Sequence, residues 1–265
     1  METPMTWRTS LSDVAPNDIR VRGYPIDELM TEADFSAAFF TLLRGEVPDA
    51  DEAALFSAVL TASLDHGLTP PSTQATRLVT SGGASLPAAT AAGLTAIGEH
   101  HGGAMLECQR LLESILADGD TTGDVEARAA TAVDEYLDVG DPVPGFGHRY
   151  HDPDPRAVAL EEMLAERGDG PHLTALKAVR RALHERVGSN VHPNVDGAIA
   201  AVLGELGIDP AVSQAVFVVG RAAGLTAHSH EERTREDPMR NVGPEPNEIT
   251  YDGPDPRSLF AGEDP

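Results

Sequence analysis

The 265-residue sequence holds one cysteine, Cys108, and one lysine, Lys177. A single thiol excludes an intramolecular disulfide framework. With no apolar h-region in METPMTWRTS, the simple expectation is a cytoplasmic chain without a signal peptide. The longest apolar runs, such as residues 91–97, are too short and too rich in Gly and Ala to span a bilayer. Neither a GxGxxG fingerprint nor a Walker loop is present, so those phosphate cradles are excluded. Metal-ligand spacing is lacking too, because His228 and His230 lie two apart and do not share a helix face. There is no internal repeat and no long low-complexity tract, which excludes a disordered chain. Basic residues are scarce: 19 stand against 43 acidic ones, for a net charge of −24. Such a surface repels phosphate backbones and disfavours nucleic-acid binding. The acidic residues are scattered along the chain, which fits a whole-surface adaptation to a salt-rich cytoplasm.

What is present is helical periodicity. The chain is long enough for one sizeable domain, or two lobes sharing a core. Helices are expected over 35–43, 49–64, 86–97, 103–117, 125–137, 154–168, 173–187, 196–206 and 210–230, and no convincing alternating strand is found. In 49–64, Leu55, Phe56, Val59 and Leu60 fall on one side. In 154–168, Asp154 caps the helix, Pro155 opens it, and Leu160, Met163 and Leu164 face inward. The Pro-, Gly- and Asp-rich segment from Arg235 reads as an extended arm. The expected fold class is all-α, with roughly eight to ten helices.

The polar motifs sit at the helix breaks: LDHG (64–67), EHHGGAM (99–105), PGFGHRYHDPDPR (144–156) and PNVDG (193–197). Free backbone amides and converging side chains make such breaks natural ligand sites. Singly, each is bland. His66 and His101 suit helix C-caps, Asp196 suits a turn or N-cap, and Arg149 and Arg156 suit pairs with Asp152 and Asp154. Arg221, amid VFVVGRAAGL, is less bland, since a buried unpaired cation is costly and needs an anionic partner. Together, three His, one Asp and several Arg are the parts for moving a carbon-bound proton beside a carbonyl while gripping a polycarboxylate.

In order and spacing, LDHG, HHGGAM, PGFGHRYHDPDPR, PNVDG and VGRAAGLTAHSHE resemble the motifs of the citrate synthase superfamily over about residues 20–256. The short chain is most similar to free-standing citryl-CoA lyases and to the C-terminal lyase module of ATP-citrate lyase, while His101 before the Gly-Gly is synthase-like. The resemblance implies a two-lobed helical fold over 1–265, with a large lobe of about 1–104 and 207–265 and a small lobe of about 105–206. The site would lie between them, in an obligate homodimer. It implies catalytic roles for His101 at the thioester oxygen, His148 at the oxaloacetate carbonyl or citryl hydroxyl, and Asp196 at the acetyl methyl carbon. His66, Arg156 and Arg221 would hold the dicarboxylate, and Arg240 would reach the neighbouring subunit's site. Gly145, Gly147 and Asn194 would approach CoA. The implied substrates are acyl-CoA with oxaloacetate, or citryl-CoA, with no metal, no tightly bound cofactor, and a citryl-CoA synthetase as a further partner. Citryl-CoA lyase is the expected activity. Citrate or 2-methylcitrate synthase is the alternative, and a non-catalytic CoA-binding or regulatory subunit is the reading of another class.

Overall fold

The computed structural model describes residues 7–117, 122–240, 243–244 and 246–259, and helix dominates them. The chain enters through a three-stranded antiparallel sheet, β1 (Ser12–Ala15), β2 (Asp18–Val21) and β3 (Tyr24–Pro25), in that order. Ala15 pairs with Asp18 and Val21 with Tyr24, so each turn has two residues. In the second turn Arg22 and Gly23 both take positive φ, 52° and 90°, the backbone twist that suits a tight hairpin. This corrects the strand-free expectation. The strands are only two to four residues long and almost wholly exposed, so no period of two develops along them. Arg22 moors the sheet by donating from Nε and Nη2 to the Leu42 carbonyl, at 3.0 and 2.8 Å.

The helices follow: α1 (Ile26–Glu32), α2 (Phe35–Arg44), α3 (Ala50–Ser63), α4 (Pro71–Ser81), α5 (Leu86–Thr95), α6 (Ala104–Leu116), α7 (Thr122–Val139), α8 (Pro155–Glu166), α9 (Pro171–Val187), α10 (Val195–Glu205) and α11 (Pro210–Arg235). Their ends are chemically marked. Asp49 and Glu52 form a capping box on α3, and Asp154 caps α8 with Pro155 at its first position. Leu55, Phe56, Val59 and Leu60 of α3 are all buried, as are Leu160 and Leu164 of α8. Two helices lie outside the sequence expectation. α1 is short and buries only Leu29. α4 turns Ser72, Thr73, Thr76 and Thr80 inward, so its buried face carries hydroxyls and shows no apolar stripe. Two of those hydroxyls have partners: Thr80 Oγ1 donates to the Thr76 carbonyl and lies 2.7 Å from Ser229 Oγ, and Ser72 Oγ lies 2.8 Å from His101 Nε2.

Two groups of helices share one core. The 26-residue α11 packs on α3, α4, α5 and α6, while α10 packs on α6, α8 and α9. Residues Ala198 to Leu203 of α10 are fully buried all round the helix, the mark of an element enclosed on every side. α11 comes so near the end of α3 that a Cβ on Gly220 would lie 2.7 Å from the Leu60 carbonyl oxygen, and one on Gly224 would overlap the Leu64 carbonyl. Gly224→Ala is therefore expected to destabilise the protein by about 1–3 kcal/mol, as overpacking does. Chemical denaturation checks this, and a parent-like midpoint would mean that the two helices have room to spare.

Candidate active site

A cleft of about 410 Å³ collects His66, His101, His148, Arg156, Asp196 and Arg221 from five separate segments. Gly147 and Asn194 also line it; Gly145 and Arg240 do not.

His66 follows α3 at the point where α11 presses closest. Arg221 Nε donates to the Ser63 carbonyl at 2.8 Å, and His228 Nε2 lies 2.9 Å from Asp65 Oδ1. The two contacts tie the His66 loop to α11 from both sides. His101 sits in the turn before α6, with Nε2 2.8 Å from Ser72 Oγ at the start of α4. Burial lowers the pKa of both imidazoles, reinforced for His66 by Arg156 and His148, and for His101 by Arg221. Both rings are thus held towards the neutral form.

The GFGHR and PNVDG motifs are stitched together by hydrogen bonds. Gly147 N donates to the His192 carbonyl at 2.9 Å, Asn194 N to the Gly145 carbonyl at 2.9 Å, and Asn194 Nδ2 to the Gly147 carbonyl at 2.7 Å. Asn194 Oδ1 meanwhile caps α10 by accepting from Asp196 N and Gly197 N. Gly145, at φ 82°, lies behind the cleft wall, where a Cβ would sit 2.6 Å from Cys108 Sγ and 2.7 Å from Gly197 Cα. Only glycine fits that place.

His148 Nδ1 accepts from the backbone N–H groups of Tyr150 and His151, both at 3.1 Å. Two donors on Nδ1 assign its lone pair there and the neutral ring's proton to Nε2. His148 is thereby set up to donate a hydrogen bond to a substrate oxygen, and as a neutral ring it has no lone pair left on Nε2 to take a proton. His151 stacks on it at 4.5 Å between ring centroids, and His66 meets both rings edge-on at 5.4 and 5.9 Å. One nitrogen from each of these three rings lies within 4.8 Å of the others, a metal-like cluster by distance alone. With the His148 proton on Nε2, the cluster is better suited to handling protons than to ligating a cation.

Arg156, in the first turn of α8, donates from Nε to Asp154 Oδ1 at 3.1 Å and from Nη2 to Oδ2 at 2.8 Å. Burial alone would raise the Asp154 pKa, but the Arg156 bonds and the N–H of Val195 hold it below the usual carboxylate range. The plain pairing weighed from sequence and the place in the cleft are both realised, since Asp154 aims a cation that still lines the site. Arg221 is 2% exposed, stands 4.9 Å above the Phe217 ring, and leaves Nη1 buried with no partner among the described residues. Such an orphan donor is rare and marks a place for an acceptor from outside the chain. Asp196, in the first turn of α10, has its pKa raised by burial, so its carboxyl is held towards the neutral acid.

Arg240 sits elsewhere in this chain. Its guanidinium donates to the buried Glu232 at 2.9 and 2.8 Å, and its N–H to Ser81 Oγ at 2.7 Å. Several site residues escape sequence reading: Ser72, Asp65, His228 and the second histidine of the HRYH segment, His151. For His151 the signal was inside a motif already singled out. For Ser72 it was not, because the contact with His101 crosses 29 residues.

Imidazoles held towards the neutral form, a half-buried acid with a raised pKa and two arginines share this cleft, the parts for moving a proton beside an anionic group. The chain belongs to the citrate synthase family: the C-terminal domain of citrate synthase matches residues 2–63 and 32–241. It is similar to the solved citryl-CoA lyase of Hydrogenobacter thermophilus, with 34% identity and a TM-score of 0.86, over 96% of this chain and 98% of that one. The citrate synthase of Haloferax volcanii is 34% identical over 213 residues, 78% of this chain and 52% of that protein. The fold also matches that of Thermoplasma acidophilum citrate synthase, at 22% identity and TM-score 0.69, over 85% of this chain and 58% of that one. The chain spans about half the length of the curated relatives it matches.

Proposed function

We propose that the chain is a citryl-CoA lyase, cleaving citryl-CoA to acetyl-CoA and oxaloacetate. The observation that carries this reading is the orphaned, buried Nη1 of Arg221 facing a cleft that also holds the neutral-leaning Asp196. In the cleavage direction Arg156 and Arg221 grip the carboxylates, and the His148 Nε2–H holds the oxygen that becomes the oxaloacetate carbonyl. As the C–C bond breaks, the electron pair moves into the thioester enolate, where His101 donates to its oxygen. Asp196 then protonates the carbon. His66 completes the dicarboxylate pocket, and the Gly147–Asn194 wall, backed by Gly145, faces CoA. CoA enters as part of the substrate and no tightly bound cofactor is invoked.

A second reading, citrate synthase, is supported by His101 at the thioester position and by the Haloferax volcanii relative. Incubation with citryl-CoA, and separately with acetyl-CoA plus oxaloacetate, tests both. Acetyl-CoA and oxaloacetate released from citryl-CoA support the lyase. Citrate and free CoA from the second mixture support the synthase. No turnover of either mixture would leave a non-catalytic CoA-binding subunit.

Residues of about 1–104 and 207–265, with α1–α5 and α11, form the large lobe, and residues of about 105–206, with α6–α10, form the small lobe closing over the cleft. Two copies form a homodimer in which Arg240 leaves Glu232 to reach the neighbouring site, and a citryl-CoA synthetase supplies the substrate in the same cytoplasm. The chain works in high salt. With net charge −24, activity and thermal midpoint are expected to rise as salt goes from about 0.1 M to about 1 M, where the screening length shrinks from roughly 10 to 3 Å. Full activity with a sharp melt in dilute buffer would overturn the salt dependence.

A further inference from the structure

We infer that His151 is a proton-relay residue that drains the hydroxyl proton from the cleft into a second cavity behind the His148 loop. The inference rests on the lyase or synthase reading above. It starts from the two backbone donors on His148 Nδ1, which leave that ring a donor at Nε2 and unable to receive the citryl hydroxyl proton. Of the other three cleft imidazoles, His100 and His101 belong to the turn before α6, and His101 stands 2.8 Å from Ser72. His66 is the one beside His148, and burial together with its cationic neighbours holds it towards the neutral, proton-accepting form.

The electron and proton count of cleavage makes an exit necessary. The O–H bond breaks and its proton passes to the lone pair of His66, while the O–H electrons form the oxaloacetate C=O. The C–C pair becomes the enolate, and the carboxyl proton of Asp196 ends on carbon. Each turnover therefore leaves one surplus proton on an imidazole and one missing at Asp196, and condensation leaves the reverse. Both must be reset before the next substrate binds.

The geometry offers a route that does not run through the substrate. His151 does not line the cleft, yet its ring lies edge-on to His66 and one nitrogen of each lies within 4.8 Å of the other, near enough for one water to bridge. On its other side the loop borders a separate cavity of about 250 Å³. His148, His151, Asp152, Asp154, Asn190 and His192 are among its lining residues, and the side chain of Asp152 is 82% exposed. A proton handed from His66 to His151 thus meets carboxylates and water on the far side of the loop. The groups facing His151 are His66 and His148 towards the cleft, and Asp152, Asp154 and His192 towards the rear.

The test compares His151→Ala and His151→Phe with the parent, each first shown to melt cooperatively, in weak and strong buffers with and without added imidazole. Expected for both variants is a kcat at least about tenfold lower in weak buffer with KM for citryl-CoA unchanged, and saturable recovery with imidazole in His151→Ala. Phe keeps the stacking on His148 but carries no proton, so parent-like kcat in His151→Phe would overturn the relay and leave a packing role. A His151→Ala chain at the parent rate, or one that imidazole fails to restore, would overturn it as well. If His151→Ala does not fold, His151→Gln takes its place and must show the same deficit and a dependence of rate on buffer concentration. A parent inactive with citryl-CoA and with acetyl-CoA plus oxaloacetate overturns the functional reading and the relay together. An active parent with variants at its rate removes the relay alone.

Discussion

Asp196→Asn is expected to keep the fold and still bind oxaloacetate, while turnover drops by about 10²–10⁴-fold, the share that general acid–base catalysis supplies. The substitution is nearly isosteric and sits in the first turn of α10, ahead of the fully buried run from Ala198 to Leu203, so packing is undisturbed. What is lost is the proton. Burial holds the Asp196 carboxyl above the usual carboxylate range, which keeps a supply of neutral acid, and on the proposed reading that acid protonates the enolate carbon. The same shift fixes the sign of the pH response. Cleavage, which needs the protonated acid, falls as pH rises through the raised pKa, and condensation, which needs the carboxylate, rises with it. The decisive measurement is exchange of the acetyl-CoA methyl protons with deuterated water in the presence of oxaloacetate. Exchange at the parent rate in Asp196→Asn would show that another group moves the proton.

The second large effect is expected at Arg221. Arg221→Leu should weaken oxaloacetate or citryl binding by about 10–100-fold, the equivalent of a charge-assisted hydrogen bond of about 1.5–3 kcal/mol, and leave CoA binding little changed. The residue does two jobs. Nε supports the Ser63 carbonyl, and Nη1 is left buried with no acceptor among the described residues. Removing a buried cation relieves desolvation, while stripping Ser63 of its donor costs about 1–3 kcal/mol, so the net stability change is small beside the change in affinity. Calorimetric titration with each ligand separates the cases. Equal losses for oxaloacetate and CoA would make Arg221 a structural residue.

Where burial and apolar spacing coincide, the helices were legible from residues alone. α3 advertises itself by Asp49 and Glu52 followed by Leu55, Phe56, Val59 and Leu60, and α8 by Asp154, Pro155 and Leu160. α4 was hidden because its inward face is Ser72, Thr73, Thr76 and Thr80, hydroxyls in place of an apolar stripe, and a partner such as Ser229 for Thr80 lies on a helix far along the chain. The sheet was hidden by brevity and exposure. At the cleft, the polar motifs at the helix breaks identified His66, His101, His148, Arg156 and Asp196, with Gly147 and Asn194, and the cost of a buried cation pointed to Arg221 within α11; all of them line one cavity. What a linear reading lacked was orientation. Nothing in GFGHRYHD says that the amides of Tyr150 and His151 turn back onto Nδ1 of His148, and that turn decides which way the imidazole can move a proton.

Cys108 lies fully buried beneath Gly145, with its thiol pushed further from ionisation by that burial and by the nearby Asp196. Maleimides and other thiolate-seeking reagents therefore find nothing to attack while the protein is folded. The chain is in effect silent to cysteine labelling, and any thiol introduced at the surface reports alone. One such cysteine on α5, which leads to His101, and one on α8, which carries Arg156, would take a donor and an acceptor dye without background. Energy transfer between them would follow the proposed closure of the cleft in real time, turnover by turnover.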